Sequence, residues 1–270
     1  MLKKKIGIIG GGNMGEAILR GLHHKGMAKN IVVSEVRSDR RASIKKDYGV
    51  EVVSDNCTLA SQVQVVILAV KPQELKGVLQ EIAPALDSAT LLISIAAGAS
   101  LGTIASILAK DARLVRAMPN IAALALESAT ALSAGGEATE EDLKVAQEIF
   151  NALGKTVVIP EALMDAVTGM SGSGPAYVCL FIEALADGGV RMGLPRKAAL
   201  EMAIQTVLGT ARLLSEQGEH PAHLTDKVSS PGGTTIAGIA SLEAKGFRGA
   251  VMEAVASATQ RSKELAKMKG

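Results

Sequence analysis

The sequence predicts an α/β protein in which a doubly wound, mostly parallel sheet is followed by an all-helical domain. Up to about residue 160, short apolar segments alternate with helical patterns, the order that produces parallel strands joined by crossover helices. Several segments, such as VVILAV and LLISIAA, are apolar throughout, as strands buried on both faces are. After Pro160 the strand-like segments disappear and long helical patterns follow. We therefore expect two domains, one spanning residues 1–160 and the other residues 161–270.

The first domain is expected to contain strands separated by amphipathic helices. The expected strands are Lys5–Ile9, Ile31–Ser34, Val50–Val53, Val65–Val70, Thr90–Ile95, Arg113–Arg116, Ser128–Ser133 and Thr156–Val158. The helical patterns include Gly15–Lys25, Arg40–Lys46, Pro72–Ile82 and Thr139–Leu153. The last of these opens with Thr139 and Asp142 at the spacing of a capping box, in which side chains and backbone N–H groups pair reciprocally.

The second domain is expected to consist of helices alone. Its helical patterns are Glu161–Met170, Pro175–Met192, Pro195–Gln217, Pro221–Val228, Thr234–Lys245 and Phe247–Lys267. Three of them begin with proline, which prefers the first turn of a helix. The segment Pro175–Met192 is apolar on most faces, and a domain of about 110 residues can hardly enclose such a helix. We therefore expect a second subunit to bury part of it, the alternative being the central helix of a monomeric bundle.

Composition excludes several classes of protein. Among 270 residues, 29 Lys and Arg face 27 Asp and Glu, which gives a net charge of +2, and 2% of the residues are aromatic. A nucleic-acid partner, which favours basic surfaces and aromatic stacking, is therefore not expected. Two cysteines without metal-ligand spacing predict neither a disulfide framework nor a bound metal. No apolar stretch reaches the length of a membrane span, so we expect no membrane association and a cytoplasmic location.

The strongest motif is Gly10-Gly11-Gly12-Asn13-Met14-Gly15, a G-x-G-x-x-G sequence between an apolar strand and a helical pattern. The first glycine permits a tight turn, the second lets the backbone approach a pyrophosphate, and the third lets the helix pack on the strand. The N-terminus of the helix offers free N–H groups to the phosphates. We expect a Rossmann-like domain whose Gly10, Gly12, Asn13, Met14 and Gly15 bind a dinucleotide. A glycine-rich turn without a ligand is the alternative.

Two signals disagree about the adenosine end of that dinucleotide. Glu35 follows the second strand, about 20 residues after the motif, where a carboxylate accepts the ribose 2′-hydroxyl and favours NAD. Ser34 and the arginines at 37, 40 and 41 surround it, and arginines suit the 2′-phosphate of NADP. The arginines are equally compatible with the solvated start of a helix. The sequence thus predicts NADP or NAD as cofactor and leaves the choice open.

The ends of further strands are expected to line the same cleft, because ligands of parallel sheets bind beyond the carboxyl ends of the strands. Ala69-Val70-Lys71-Pro72 follows one buried strand, Ala96 and Ala97 follow the next, and Met118-Pro119-Asn120 follows a third. Small residues at 96–98 would let a nicotinamide ring approach the backbone. Each segment alone is compatible with an ordinary turn, but together they outline the rim of one cleft.

Two segments rich in glycine and hydroxyl groups interrupt the helical domain. They are Ser171–Tyr177, with the sequence SGSGPAY, and Ser229–Thr235, with the sequence SSPGGTT. Both directly precede a helical pattern, where backbone N–H groups and hydroxyls can hold an anion. Ser and Thr also cap helices routinely, which is the alternative for each segment. Two such segments in a domain without another polar cluster favour a site for a substrate carboxylate.

The chain offers no histidine for acid catalysis at these segments, because all four histidines lie elsewhere in hydrophilic contexts. A reductase built in this way suits an imine better than a ketone. A protonated C=N bond already carries its positive charge, so the addition of hydride needs no separate proton donor. Catalysis then consists mainly of aligning the two reactants.

Six segments distributed over the chain carry a family resemblance. They are GIIGGGNMG at the start, AVKP at 69–72, AMPN at 117–120, DAVTGMSGSGPAY at 165–177, ADGGVRMGLPR at 186–196 and VSSPGGTTIAGI at 228–239. Together they resemble the pyrroline-5-carboxylate reductases over essentially the whole chain. The resemblance implies reduction of L-1-pyrroline-5-carboxylate to L-proline with NAD(P)H, the last step of proline biosynthesis. It also implies a homodimer, often assembled further into a decamer, with the small-molecule substrate at the dimer interface.

The resemblance assigns a substrate role to one segment in particular. The substrate carboxylate would bind the backbone N–H groups of Gly233, Thr234 and Thr235. The hydroxyl of Thr235 would meet the ring nitrogen or the carboxylate. Ser173 would line the catalytic pocket with Thr235, and Glu161 falls at a position linked to substrate binding.

The resemblance also bears on the cofactor. Asn56 matches an asparagine near the adenosine ribose. Two positions depart from the family pattern, because some relatives have asparagine in place of Lys227, and NADP-preferring relatives tend to carry a neutral or basic residue in place of Glu35. Both departures concern the preference between cofactors rather than the reaction.

Two other functions share parts of this pattern. A 3-hydroxyacid or 6-phosphogluconate-type dehydrogenase has the same layout but uses a catalytic lysine in the helical domain. The nearest lysine, Lys197, lies well past Ser171–Tyr177. A non-catalytic NAD(P)-sensing protein would keep the glycine motif but has no reason to keep two anion-binding segments. Reduction of pyrroline-5-carboxylate is therefore the leading hypothesis.

Overall fold

The computed structural model of the chain describes residues 4–109 and 111–269, with side chains up to residue 266. The strands within these residues are β1 (Ile6–Ile9), β2 (Ile31–Ser34), β3 (Glu51–Val53), β4 (Val65–Leu68), β5 (Leu91–Ser94), β6 (Arg113–Met118), β7 (Ser128–Gly136) and β8 (Gly154–Val158). The helices are α1 (Asn13–His24), α2 (Ser38–Tyr48), α3 (Asn56–Ala60), α4 (Leu75–Ile82), α5 (Leu101–Leu108), α6 (Glu140–Phe150), α7 (Met164–Val167), α8 (Gly174–Arg191), α9 (Arg196–Gln217), α10 (Pro221–Val228), α11 (Thr234–Ala244) and α12 (Phe247–Lys269).

The eight strands form one sheet in the order β3-β2-β1-β4-β5-β6-β7-β8. Neighbouring strands are parallel except β6 and β7, which pair antiparallel. The doubly wound, mostly parallel sheet predicted from the sequence is thus confirmed. The strand order reverses at β1, which pairs with β2 on one side and with β4 on the other. Sheets of this kind bind their ligands beyond the carboxyl ends of the strands at such a reversal.

Helices cover both faces of the sheet, which explains why its central strands are apolar throughout. On one face, Ile8 and Ile67 pack in a buried cluster with residues of α1 and α6 such as Ile18. On the other face, Ile9 belongs to a second cluster with residues of α3, α4 and α5 such as Leu79. Successive residues of a strand point to opposite faces, so burial of both faces requires an unbroken apolar sequence.

The predicted elements of the first domain all exist, with ends that shift by up to three residues. The capping box of α6 is also confirmed, since the Thr139 side chain accepts from the Asp142 N–H and the Asp142 side chain accepts from the Thr139 N–H. Two helices, α3 and α5, were not among the predicted patterns. The first is only five residues long. The second, LGTIASIL, has its buried residues Leu101, Ile104 and Leu108 at helical spacing, so its signal was available in the sequence.

The contacts within the chain define two compact units. Unit 1 runs to Gly172 and includes the end of the chain from Ser257, and unit 2 is Ser173–Ala256. The turns and short helix between residues 161 and 172 belong to unit 1 because they are tied to it. Asn120 Nδ2 donates to the Ser171 carbonyl at 3.0 Å, and the Ser262 hydroxyl donates to Asp165 at 2.6 Å. These units are not the sequence domains 1–160 and 161–270, whose boundary stays a prediction.

Unit 2 has a very small core of its own. Its buried hydrophobic side chains among the described residues are Ala186, Ala199 and Ala203, where α8 packs against α9. Many larger apolar side chains are exposed, and Leu180 on α8 is 66% exposed. A single chain therefore does not bury the apolar helix that the sequence singled out. No helix in the described part of the chain is long and apolar enough to cross a membrane.

Candidate functional site

A cleft of about 1010 Å³ lies in unit 1 beyond the carboxyl ends of β1, β2, β4 and β5. Most of the residues predicted to bind a dinucleotide line it. They are Gly10, Gly12, Asn13, Met14, Ser34, Glu35, Asn56, Ala69, Val70, Lys71, Pro72, Ala96 and Ala97. Residues separated by up to 87 positions in the chain thus meet at one site, as the topology of a parallel sheet requires. Gly15 was also predicted but does not line the cleft.

The three glycines of the motif between β1 and α1 differ in whether the fold has room for a side chain. Gly10 has a φ of +103°, and a Cβ there would lie 2.6 Å from the Ala69 carbonyl oxygen. A Cβ on Gly15 would lie 2.0 Å from the Gly10 carbonyl oxygen, so glycine at position 15 lets α1 pack closely against the turn. A Cβ on Gly12 would meet no atom within 4 Å. The fold itself therefore does not require glycine at position 12.

The start of α1 fits a phosphate group. Gly12 is the N-cap residue, and no side chain caps the helix. The first N–H groups of a helix carry partial positive charge and need a partner, which an anion in the cleft would supply. The open space beside Gly12 would let such an anion reach the backbone closely. These two observations together fit the pyrophosphate of a dinucleotide.

Glu35 occupies the position after β2 that the sequence assigns to ribose recognition. It is 8% exposed, and its carboxylate accepts from the Gly11 N–H at 3.0 Å and from the Arg37 N–H at 2.9 Å. Two backbone donors therefore fix the carboxylate beside the glycine turn. The Arg37 side chain also lines the cleft and lies 3.8 Å from the same carboxylate.

A chain of side-chain hydrogen bonds continues this wall of the cleft. The Ser34 hydroxyl donates to Asn56 Oδ1 at 2.7 Å, and Asn56 Nδ2 donates to Glu81 at 2.9 Å. Ser34 and Asn56 are buried, so these bonds hold the asparagine amide in one orientation. The cleft-lining residues Glu74, Val78 and Glu81 were not predicted. Glu74 is the N-cap residue of α4, and the spacing of four and three residues places all three on one side of this helix, a signal that was available in the sequence.

Two of the arginines near Glu35 are engaged in structural contacts. Arg40 donates to the Gly11 carbonyl at 2.7 Å and to Glu16 at 2.6 Å. The hydrogen bond from Arg40 holds the pKa of Glu16 below its ordinary value, against the opposing effect of burial. Arg41 donates to the backbone carbonyls of Glu35 and Val36. Both arginines therefore brace the glycine turn and the end of β2.

Glu161 lies in unit 1 and is not among the residues that line the cleft. Its carboxylate accepts from the Leu101 N–H at 2.7 Å, at the start of α5, and from Arg116 at 3.1 Å. Arg116 is itself buried on β6. The carboxylate thus joins a helix N-terminus to the sheet.

Ser171–Tyr177 is not the loop that the sequence predicted. Thr168–Gly172 forms a π-helical turn and α8 begins at Gly174, so Ser173 stands between two helical segments with α-helical dihedral angles. The predicted helical pattern Glu161–Met170 is helical throughout, but it consists of a 3₁₀ turn, α7 and part of the π-helical turn rather than one α-helix. Glycine and hydroxyl residues are typical of loops, so the sequence contained no signal that this segment would continue as helix. Such π-helical turns occur frequently at functional sites.

Ser229–Thr235 is the loop that the sequence predicted, and it leads into α11. Gly233 is the N-cap residue of α11, and no side chain caps this helix. Gly232 has a φ of +66°, which favours glycine, and a Cβ on Gly233 would lie 2.2 Å from the Ser230 hydroxyl oxygen. Thr234 and Thr235 form the first turn of α11. The loop therefore presents the uncapped N–H groups of the first turn of α11 together with two hydroxyl side chains. The Gly233 N–H, also predicted to bind the substrate, donates instead to the Ser230 carbonyl at 3.0 Å.

The remaining predicted features concern metals and a catalytic lysine. Among the described residues, no group of three or more His, Cys, Asp or Glu is arranged to hold a metal ion. Lys197, the lysine that a 3-hydroxyacid dehydrogenase would need, is exposed in the first turn of α9.

Comparisons with known proteins agree with this arrangement. Residues 161–265 match the family model described as pyrroline-5-carboxylate reductase dimerisation, and residues 5–98 match the model described as NADP oxidoreductase coenzyme F420-dependent. The chain is 49% identical to the pyrroline-5-carboxylate reductase of Methanosarcina acetivorans, over 99% of this chain and 100% of the relative. It is 52% identical to that of Synechocystis, over 97% and 98% of the two chains.

Solved structures give the same result. A pyrroline-5-carboxylate reductase from Coxiella burnetii matches with a TM-score of 0.95 and 36% identity, over 98% of this chain and 99% of the other. The Plasmodium falciparum pyrroline carboxylate reductase with NADP bound matches with a TM-score of 0.84 and 34% identity, over 98% and 99%. Because these relatives share both the sequence over almost the full length and the fold, this chain belongs to the pyrroline-5-carboxylate reductase family.

Proposed function

We propose that this chain reduces L-1-pyrroline-5-carboxylate to L-proline with NAD(P)H, the last step of proline biosynthesis. The observation that carries the proposal is the cleft at the reversal point of the sheet, with the uncapped start of α1 and the open space beside Gly12. It occurs in a chain about half identical, over nearly its full length, to proteins named for this activity. The dehydrogenase and sensor alternatives gain no comparable support.

The residues that would hold the cofactor are those that line the cleft. The N–H groups of Asn13 and Met14 would meet the pyrophosphate, and Glu35 and Asn56 would lie along the adenosine ribose. Ala96 and Ala97, with their small side chains, would let the nicotinamide approach the backbone after β5. When bound, NAD(P)H supplies the hydride that reduces the C=N bond.

The substrate carboxylate is proposed to bind at the start of α11. The N–H groups of Thr234 and Thr235 lie at the positive end of the helix, which attracts an anion. The Gly233 N–H donates to the Ser230 carbonyl at 3.0 Å, so it would have to leave that bond to reach the substrate. The Thr235 hydroxyl would donate to the carboxylate or meet the ring nitrogen, and Ser173 would line the same pocket. A protonated imine needs only this orientation, because it carries its proton before the hydride arrives.

Glu161 was assigned to substrate binding from the family resemblance, and its contacts suggest how it would act. Its carboxylate already accepts from Leu101 and pairs with Arg116. We therefore propose that Glu161 supports the site by fixing the start of α5 against the sheet. Direct contact between Glu161 and the substrate would require these bonds to rearrange.

The family match over residues 161–265 indicates a homo-oligomer. Within it, we propose a homodimer as the basic assembly and a decamer as the larger one. The poorly buried helices of unit 2 support the first step, because α8 needs a partner for its apolar side chains. The cytoplasmic location expected from the sequence stays a prediction.

The activity can be tested directly. Purified protein is mixed with pyrroline-5-carboxylate and with NADPH or NADH in separate assays, and the loss of absorbance of the reduced nicotinamide is followed. We expect oxidation that depends on the substrate and produces proline. If neither cofactor is oxidised above the rate without substrate, the proposed function is wrong.

The substrate site can be tested with Thr235→Ala. Loss of a hydrogen bond to a charged group is expected to raise the KM for pyrroline-5-carboxylate, or to lower kcat, by roughly tenfold or more. Cofactor affinity should stay unchanged. Thr210→Ala is the matched control, because Thr210 is an exposed threonine on α9 whose hydroxyl bonds only to the helix carbonyl of Thr206. Loss of cofactor binding in Thr235→Ala, with the substrate KM unaltered, would show that the site is misassigned.

A further inference from the structure

The adenosine end of the cleft contains a carboxylate whose position is fixed before any ligand binds. Glu35 is almost completely buried, and each of its oxygens accepts from a different backbone N–H group. A carboxylate offers about four acceptor positions, so others remain for hydroxyl donors. The ribose of NADH provides such donors, whereas the 2′-phosphate of NADPH brings acceptors and further negative charge.

The nearby arginines do not offset this charge. Arg40 and Arg41 are absent from the lining of the cleft, and they bond to Glu16 and to backbone carbonyls instead. Arg37 does line the cleft, but its side chain is 59% exposed and already lies near Glu35. Solvent screens an exposed arginine more strongly than a buried carboxylate. We therefore expect the repulsion of a 2′-phosphate by Glu35 to outweigh its attraction to Arg37.

The charges along the rest of the lining point the same way. Glu81 bonds to the Asn56 amide and adds a second carboxylate to this wall. Among the described residues that line the cleft, Glu35, Glu74 and Glu81 carry negative charge, and Lys71 and Arg37 carry positive charge. The lining of the cleft thus carries a surplus of one negative charge, which disfavours an additional phosphate.

We propose that Glu35 makes this protein selective for NADH over NADPH. Its fixed carboxylate would accept the ribose hydroxyls of NADH and repel the 2′-phosphate of NADPH. The proposal rests on the proposed function for the reaction concerned, but the preference itself is a property of cofactor binding. It can therefore be tested without the substrate.

The test is to titrate the purified wild-type protein with NADH and with NADPH, and to follow the fluorescence of the bound nicotinamide. Like charges brought together in a partly buried site cost enough that we expect NADPH to bind roughly tenfold more weakly, or worse. Adenosine 5′-monophosphate should also displace NADH at lower concentration than adenosine 2′,5′-bisphosphate does. Equal or tighter binding of the 2′-phosphorylated ligands would overturn the proposal.

The role of Glu35 itself is tested with Glu35→Gln, which keeps the shape and an acceptor oxygen but removes the charge. The ratio of the two dissociation constants should fall several-fold towards one, chiefly through tighter NADPH binding. Asp47→Asn is the matched control, because it removes one carboxylate from an exposed position on α2 outside the cleft and should leave the ratio unchanged. An unchanged ratio in a folded Glu35→Gln protein would show that another feature sets the preference.

The wild-type competition by the two adenosine nucleotides decides the preference even if Glu35→Gln fails to fold. The outcomes also separate this proposal from the proposed function. Tighter binding of NADH without reduction of pyrroline-5-carboxylate would leave the preference intact and remove the reaction. Reduction of pyrroline-5-carboxylate by a protein that binds NADPH as tightly as NADH would support the proposed function and overturn the proposed preference.

Discussion

Asp142 is a buried carboxylate that joins two elements of unit 1. It accepts from Arg113 Nε at 2.9 Å, on β6, and from the Thr139 N–H at 2.9 Å, at the start of α6. Burial alone would raise the pKa of Asp142, but the hydrogen bonds from Arg113 and from Thr139 outweigh burial and lower it. The charged form is therefore the one that stabilises the folded protein.

This arrangement predicts how stability depends on pH. Because the folded pKa of Asp142 lies below that of the unfolded chain, about 3.9, its contribution is complete above that value. The contribution is lost as the pH falls through the folded pKa. At pH 7, Asp142→Asn should lower the free energy of unfolding by about 2 kcal/mol, since it weakens charge-assisted hydrogen bonds to a buried group.

Urea denaturation of the wild type and of Asp142→Asn at pH 7 and at several values down to pH 3 measures both effects. The difference between the two proteins should shrink as the pH falls below about 4. Asp47→Asn, an exposed change, should differ from the wild type by less than about 0.5 kcal/mol throughout. A difference that stays constant with pH would show that the charge of Asp142 is not the source of its contribution.

Contacts between residues far apart in the chain could not be predicted from the sequence, unlike positions that follow a local motif. Glu35 was recognised because its distance from the glycine motif is a local pattern. The hydrogen bond from Arg40 to Glu16 could not be recognised in this way, because the two residues lie 24 positions apart and on different helices. Only the packing of α2 against the start of α1 reveals that this arginine is occupied. The sequence alone therefore left the choice between the cofactors open.

At the scale of the element, the turn from β1 into α1 separates glycines needed for folding from one needed for binding. Gly15→Ala would place a Cβ against the Gly10 carbonyl oxygen. We expect it to lower the free energy of unfolding by about 1–3 kcal/mol or more, the usual range for overpacking. Gly12→Ala meets no atom and has a φ of −73°, which any residue adopts, so its stability should stay within about 1 kcal/mol of the wild type.

Gly12→Ala, the variant that should stay stable, is the one in which NADH binding should weaken directly. The methyl group of Gly12→Ala would occupy the space through which a phosphate reaches the backbone, so NADH affinity should fall by roughly tenfold or more in a fully folded protein. Thermal unfolding and NADH titration measure the two properties independently. A Gly12→Ala protein that binds NADH as the wild type does would contradict the placement of the pyrophosphate.

Elements were predictable wherever a simple repeat marked them. Apolar strands alternating with helical patterns gave the sheet of unit 1, and proline or a capping box marked the start of several helices. The helical pattern of Glu161–Met170 did not reveal which kind of helix forms there. The π-helical turn depends on contacts such as that from Asn120 to the Ser171 carbonyl, 51 positions away, rather than on local sequence.

At the scale of the whole molecule, unit 2 cannot be explained by one chain. Its buried hydrophobic side chains are three alanines, while leucine, methionine and phenylalanine side chains of α8 and α9 face outward. Exposed apolar surface on this scale marks an interface between subunits. The apolar character of Pro175–Met192 was visible in the sequence, and the structure adds which side chains are left for the partner.

The assembly can be broken at one of these side chains. Light scattering of the wild type should give a mass at least twice the 27.8 kDa of one chain. Leu180→Glu places a charge on the exposed apolar face of α8 and should shift the mass towards that of one chain, since burying an unpaired charge in an interface is strongly unfavourable. Ile121→Glu, an exposed apolar position in unit 1, is the matched control and should keep the wild-type mass.

A readout of folding must accompany this mass, because unit 2 depends on its partner for burial. The residues that line the cleft all belong to unit 1, so NADH binding by Leu180→Glu reports whether that unit remains folded. We expect a dissociated protein that still binds NADH but has lost reductase activity. A wild-type protein with the mass of one chain, or a Leu180→Glu protein that keeps the full assembly, would show that this face of α8 is not the interface.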